Sequence, residues 1–171
     1  MRMSAVSPFR IAVPDAVLAD LNLRLRNTRW PEAELVHDWS QGVPLKWIRD
    51  ICNYWAEQYD WRNREAMLNR FAQFKTGIDG VDIHFIHARS PHPQAMPLII
   101  THGWPGSVVE FHKVIEPLVD PVAHGGHAAD AFHVVCPSLP GFGFSGKPTT
   151  AGWGVDRIAR VWAVLMDRLG Y

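Results

Sequence analysis

The sequence predicts an α/β fold entered through a helical N-terminal region, and three observations carry that reading. Up to about residue 72 the apolar residues recur at three- and four-residue steps. From Phe74 onward they alternate or cluster in short blocks, the pattern of strands. Amphipathic stretches of helix length then separate those blocks, as in the opening of a sheet with parallel strands. The change of period divides the chain into 1–72 and 73–171.

In the first part, Pro14 is placed to open a helix at its first position, where the missing N–H costs nothing. Val17, Leu18, Leu21 and Leu25 form its expected buried stripe. Pro44 opens a second helix whose stripe is Leu45, Ile48, Cys52, Trp55 and Tyr59. Trp30-Pro31 and Gly42-Val43-Pro44 mark loops, and Trp61 to Arg70 is expected to form a short third helix.

In the second part, Phe74–Ile78 and Val81–His87 read as strands joined at Asp79-Gly80, a strong hairpin signal. A proline-rich loop from Ser90 to Pro97 leads to a buried strand over Leu98–Thr101. Val108, Val109, Phe111, His112, Ile115 and Leu118 suit a helix that stops before Pro121. Phe132–Cys136 is a further apolar strand, and Val155, Ile158, Trp162, Leu165 and Leu169 define a last helix. That helix is expected to lead into another central strand, which these 171 residues do not carry. Half a sheet leaves an open edge strand and an uncovered apolar face, so self-association or pairing with a complementing chain is expected.

Composition narrows the function classes. With 47 % hydrophobic and 20 % charged residues the chain is too apolar to be disordered. Seventeen basic residues balance seventeen acidic ones, which argues against a nucleic-acid surface or a polybasic membrane patch. Arg24, Arg26 and Arg29 are spread around a solvated helix face. Cys52 and Cys136 lie far apart in apolar settings, as expected of two buried thiols in a reduced, cytoplasmic protein. No run approaches the roughly 18 apolar residues of a membrane helix, and Met1 to Phe9 lacks the apolar core of a secretory leader.

The strongest chemical signal is Pro97 to Ser107, where an apolar strand breaks at His102-Gly103-Trp104-Pro105-Gly106 and passes into a helix start. A strand that ends in a tight Gly/Pro turn can aim backbone N–H groups into a cleft, which is how an oxyanion hole is made. The bland alternative is a turn that merely ends a strand. If the turn is functional, the Trp104 N–H is the donor and the Trp104 ring walls an apolar pocket. Pro105 follows an aromatic residue, which favours a cis bond. His102 is expected to hydrogen-bond neighbouring backbone and hold the loop, not to act as a base.

Other motifs are weaker. Gly141-x-Gly143-x-x-Gly146 follows a strand, but Lys147-Pro148 and Gly152-Trp153-Gly154 postpone the helix that a dinucleotide fingerprint needs. It is read as a bent aromatic loop beside a small-molecule cleft. Ser107 and Ser145 both fail the spacing of a serine nucleophile elbow. His84 and His87, three apart on a strand, face opposite sides and do not make a metal pair. His124 and His127 flank two glycines in a loop, a weak metal signal. No cofactor or metal is implied.

Taken together, the motifs are those of a known family. Pro8-Phe9 through Arg29-Trp30-Pro31, Trp39-Ser40-x-Gly42-Val43-Pro44, Tyr54-Trp55, Tyr59-Asp60-Trp61-Arg62 and Leu68-Asn69-x-Phe71 follow one another in the first part. Ile83-His84-Phe85-Ile86-His87, His102 through Ser107, and Pro137 through Ser145 follow in the second. Over residues 8–171 the chain resembles the N-terminal part of epoxide hydrolases of the microsomal and juvenile-hormone type. The resemblance implies an incomplete α/β-hydrolase fold behind a helical N-terminal region. It also implies cofactor-free hydrolysis of a small hydrophobic epoxide to a vicinal diol. In that family an Asp attacks the epoxide carbon, tyrosine hydroxyls polarise the epoxide oxygen, and a His with an acidic partner activates water. By this resemblance Trp104 supplies one oxyanion N–H, while His102, Gly103 and Pro105 shape the turn. The nucleophile, its partners and the tyrosines have no counterpart here, and Asp156 and Asp167 fall on a helix, so the chain is expected to be inactive alone. Two alternatives stay open: a non-catalytic remnant or docking module, and ester or haloalkane hydrolysis on the same fold.

Overall fold

The computed structural model describes residues 5–171, so the first four residues of the segment read for a leader lie outside it. The chain forms two compact units, and their division differs from the expected one at 72/73. Ile11–Met67 is one unit; the segment through Arg10 and Leu68–Tyr171 together make the other. The reason is a strand that periodicity is too short to reveal. Ser7–Phe9 (β1) pairs antiparallel with Gln73–Ile78 (β2), Pro8 opposite Phe74. Pro8 is tolerated because β1 lies at a sheet edge, where a missing donor breaks no central ladder.

The sheet is mixed. The hairpin of β2 and Val81–Ala88 (β3) forms as expected, with Asp79 at φ 51 and Gly80 at φ 78 in its turn. Met96–Ile99 (β4) and Phe132–Pro137 (β5) complete the order β1-β2-β3-β5-β4. Only β4 and β5 run parallel among the described strands; β3 meets β5 antiparallel. The expectation of parallel strands therefore holds for one pair. It is the pair joined by a long crossover, which parallel geometry requires.

Side-chain alternation splits the core over the two sheet faces. Ile83, Phe85 and Val135 face the last helix, Val155–Arg168, and pack on its Val161, Trp162 and Leu165. Ile86, Val134 and Cys136 face the other way, onto Val108, Ile115 and Phe71. The continuous helix expected over Val108–Leu118 is instead a 3-10 turn, Val108–Phe111, and a short helix, Ile115–Val119. Pro117 explains the break. It cannot donate to the Lys113 carbonyl and its ring would strike it, so the helix must begin late enough to hold Pro117 in its first turn.

The other unit holds the helices Asp15–Arg26 and Leu45–Glu57, with Trp61–Leu68 at its border. The α-helices of the described residues are numbered α1 to α5 in chain order. Pro14 and Pro44 stand one residue before α1 and α2, at the N-cap and not at the first helical position. The predicted stripes exist, but they are not closed over. Val17 is 54 % exposed and Trp55 44 %. With Leu18, Leu21, Tyr54 and Trp61 they line an apolar cleft of about 740 Å³. Two helices and a short third have too little volume to enclose both apolar faces. Cys52, on α2, is accordingly only half-buried, whereas burial in β5 pushes the Cys136 thiol up to about 12. No helix among the described residues is long and apolar enough to cross a membrane.

This difference between the units predicts contrasting mutant costs. Leu165→Ala, at a site with 0 % exposure, should destabilise by about 2–5 kcal/mol. Val17→Ser on the open face of α1 should cost less than about 0.5 kcal/mol. Urea unfolding of both variants checks the contrast.

Candidate functional site

The turn after β4 is built from backbone bonds. Ile100 N–H donates to Val135 O at 2.9 Å and carries the β4–β5 pairing one step past the strand. Gly106 N–H then folds back onto Gly103 O at 2.7 Å. The Trp104–Pro105 peptide is cis. Ser107 closes the segment with a capping box: its Oγ accepts from Val109 N–H at 3.3 Å, and its own N–H donates to Glu110 Oε1 at 3.2 Å. At Gly106 a Cβ would sit 1.4 Å from Glu110 Oε1, so a larger residue would displace that carboxylate from the Ser107 N–H.

His102 is buried beneath this turn. Its Nε2 accepts from Leu139 N–H at 3.1 Å, which leaves Nδ1 as the protonated nitrogen. That Nδ1 donates to Gly103 O at 3.2 Å. The Gly103 carbonyl thus takes two donors, His102 and Gly106. In a trans peptide the carbonyl and the following N–H point in opposite directions. Gripping Gly103 O therefore aims the Trp104 N–H away from His102. Among the described residues that N–H has no acceptor within the chain. The Trp104 ring, expected to wall an apolar pocket, stands 82 % exposed. Pro105 stands beside it in the turn.

The loop that follows β5 packs onto itself. Gly141 N–H donates to Gly146 O at 2.9 Å, Phe142 N–H to Leu139 O at 2.9 Å, and Gly146 N–H to Asp82 O at 2.7 Å. Amides spent on carbonyls are not offered to a phosphate, which separates this loop from a dinucleotide cradle. Phe142 lies edge-on to His102 with ring centres 5.7 Å apart. No cluster of His, Cys, Asp or Glu that could hold a metal occurs among the described residues.

Behind the loop lies a polar cluster that residue spacing does not reveal. His84, fully buried, has Nδ1 2.9 Å from Ser138 Oγ and Nε2 2.9 Å from Gln73 Oε1. The signal was a polar residue within the apolar run Ile83–Ile86. Burial, and then the charge of Lys75, push His84 down to about 4. His87, on the opposite face, bonds Tyr171 OH at 2.9 Å and is pushed down to about 4 by burial, Arg89 and His133.

Both histidines stay neutral in the fold below the pH at which they charge when unfolded. The unfolded chain then binds more protons, so stability is full above about pH 6.5 and lost as pH falls toward 4. Thermal midpoints measured across that range should fall, and His84→Asn should flatten the slope.

Residues 6–111 match the family described as "Epoxide hydrolase N terminus", and residues 96–171 match "alpha/beta hydrolase fold". A putative epoxide hydrolase of Stigmatella aurantiaca is 61 % identical over 97 % of this chain, and epoxide hydrolase 1 of Sus scrofa 37 % identical over 98 %. In both, the match covers 38 % of the relative's length. The juvenile hormone epoxide hydrolase structure from Bombyx mori superposes with a TM-score of 0.88 at 32 % identity, covering 98 % of this chain and 40 % of that one. The Aspergillus niger epoxide hydrolase gives 0.84 at 36 % identity, over 99 % of this chain and 44 % of that one. The chain belongs to the epoxide hydrolase family and carries the N-terminal region and first sheet strands of its α/β-hydrolase fold.

Proposed function

We propose that these residues are the oxyanion-binding front portion of an enzyme that hydrolyses a small hydrophobic epoxide to a vicinal diol. The observation that carries the reading is the Trp104 N–H, left without an acceptor while its own peptide carbonyl is gripped on the other side by His102 and Gly106. In the reaction an Asp carboxylate oxygen attacks an epoxide carbon, the C–O bond opens, and the alkoxide takes a proton from a phenol. Water, deprotonated by a His, then adds to the ester carbonyl. The tetrahedral oxyanion needs N–H donors, of which Trp104 is one, before it collapses to free carboxylate and diol. His102, Gly103 and Pro105 shape the donor. Asp156 and Asp167 lie within α5 and not on an elbow turn, which supports reading neither as the nucleophile. No cofactor enters these steps.

A second reading follows from the open β4 edge, where Met96 is exposed, and from the uncovered α1–α2 cleft. In it, the chain docks onto a complementing polypeptide or a second copy and catalyses nothing. Sedimentation equilibrium distinguishes it: a monomer with a cooperative melt removes this reading.

The catalytic reading is tested by joining residues 1–171 to the remainder of the Stigmatella aurantiaca relative and assaying diol release from an aryl epoxide. The joined protein should turn over and the 171-residue chain should not. Replacing the Trp104 amide by an ester through semisynthesis removes the N–H and also weakens the Gly103 carbonyl as an acceptor. It should lower kcat by about 10²–10³ with little change in KM. An undiminished kcat removes Trp104 from the oxyanion site.

A further inference from the structure

The oxyanion turn leans on His102, and His102 leans on Leu139, whose position is decided deeper in the sheet. β5 ends at Pro137, and Ser138 N–H still donates to His84 O on β3 at 2.8 Å. One residue later the chain has turned, and Leu139 N–H meets His102 instead. Whatever holds Ser138 therefore sets the aim of the Leu139 amide.

The partners around His84 fix the position of each proton in that cluster. Gln73 Nε2 donates to Leu68 O at 3.0 Å and lies 3.4 Å from Asn69 Oδ1, so its amide oxygen faces His84. His84 Nε2 must then be the protonated nitrogen and Nδ1 the bare one. Ser138 Oγ–H consequently donates to His84 Nδ1. Ser145 closes the ring of contacts: its Oγ accepts from His84 N–H at 3.0 Å and donates to Ser138 O at 2.7 Å. Phe9 and Phe144 stand edge-on to the imidazole at 5.1 and 5.3 Å and keep water from it. Gly143, at φ 51, passes close over the hydroxyl, since a Cβ there would lie 2.9 Å from Ser138 Oγ.

We propose that His84, oriented by Gln73 and acting through Ser138, is a positioning residue for the oxyanion turn. Its lone pair at Nδ1 sets Ser138, Ser138 sets the Leu139 N–H, and that N–H selects the His102 tautomer which grips Gly103 O and aims the Trp104 N–H. His84 touches no reacting atom, because it is buried with both ring nitrogens engaged. The inference deepens the oxyanion reading of Trp104 and rests on it.

The test uses the isotope-labelled 171-residue chain and three variants. An Asn amide oxygen reaches the place of His84 Nδ1, whereas a Gln side chain reaches the place of Nε2. Ser138→Ala and His84→Gln should each speed amide exchange at Leu139 by at least about tenfold relative to Val135 in β5, the scale of one lost hydrogen bond. Both should also let His102 occupy both tautomers, read from its ring nitrogen shifts. His84→Asn should keep the wild-type exchange ratio and a single His102 tautomer. Unchanged Leu139 and His102 in Ser138→Ala, or His84→Asn behaving like His84→Gln, overturns the inference. Should His84→Gln not fold, Ser138→Ala against His84→Asn decides. In the joined protein, Ser138→Ala should lower kcat by about tenfold with KM unchanged; an undiminished kcat also overturns the positioning role. If the joined wild-type protein forms no diol, the epoxide reading fails while the exchange and tautomer results still judge the relay.

Discussion

Burial of β5 on both faces and hydrogen bonding along both its edges is the constraint on which the larger unit depends. Val134, Val135 and Cys136 have 0 % exposure, and they alternate between two separate apolar clusters. A strand so placed reads as an unbroken apolar run, unlike a half-exposed strand with polar alternation. Its partners have opposite senses, β3 antiparallel and β4 parallel, so β4 and β5 end on the same side of the sheet, the side from which β3 starts. The turn after β4 and the loop after β5 emerge side by side for that reason. Their meeting point, Leu139 N–H on His102 Nε2, is a consequence of sheet order.

Polar groups in that position are costly unless every one is paired. Water is excluded around His84, so an unmatched donor or acceptor would cost on the order of 1–3 kcal/mol. The pairing runs from Gln73 through His84 to Ser138 and Ser145 without a donor facing a donor. Such a set is satisfied in one arrangement of protons and rotamers. It therefore defines the loop geometry more sharply than apolar packing, which tolerates sliding. On the outer side of α5, Arg157 does comparable work by a charged route. It pairs with Asp79 at 2.6 Å, holds Ala151 O at 3.0 Å and lies over Trp153 at 4.2 Å.

The helical unit obeys a different limit. Its aromatic content is high, with Trp39 against Trp47 at 5.6 Å and Arg49 over Trp30 at 5.5 Å. Yet α1 and α2 bury none of their residues fully. Glu65 supplies some of the order that packing does not: it accepts from Val13 N–H at 2.7 Å, and Arg62 bridges Glu65 and Asp15. Those contacts hold Glu65 below the usual carboxylate range, the Val13 amide first among them.

Much of this molecule was legible in residue order alone. The Asp79-Gly80 hairpin, the β5 run, α5 and the His102–Ser107 turn all follow from local rules, because each is specified by neighbours within a few positions. The breaks were less so. Pro117 divides a helix that the apolar spacing draws as continuous, and β1 is three residues whose only reason to be extended is the edge of β2. What tertiary structure alone decided is the partnership of distant groups. The Asp79-Gly80 hairpin brings Gln73 near His84, but Ser138 lies 54 positions from His84 with no period or motif to link them; the β3–β5 register brings that pair to 2.9 Å. The same holds for His102, whose residue type announces a ring but not a tautomer. Its tautomer depends on an amide thirty-seven positions away, because a hydrogen bond depends on where atoms stand and not on how far along the chain they are.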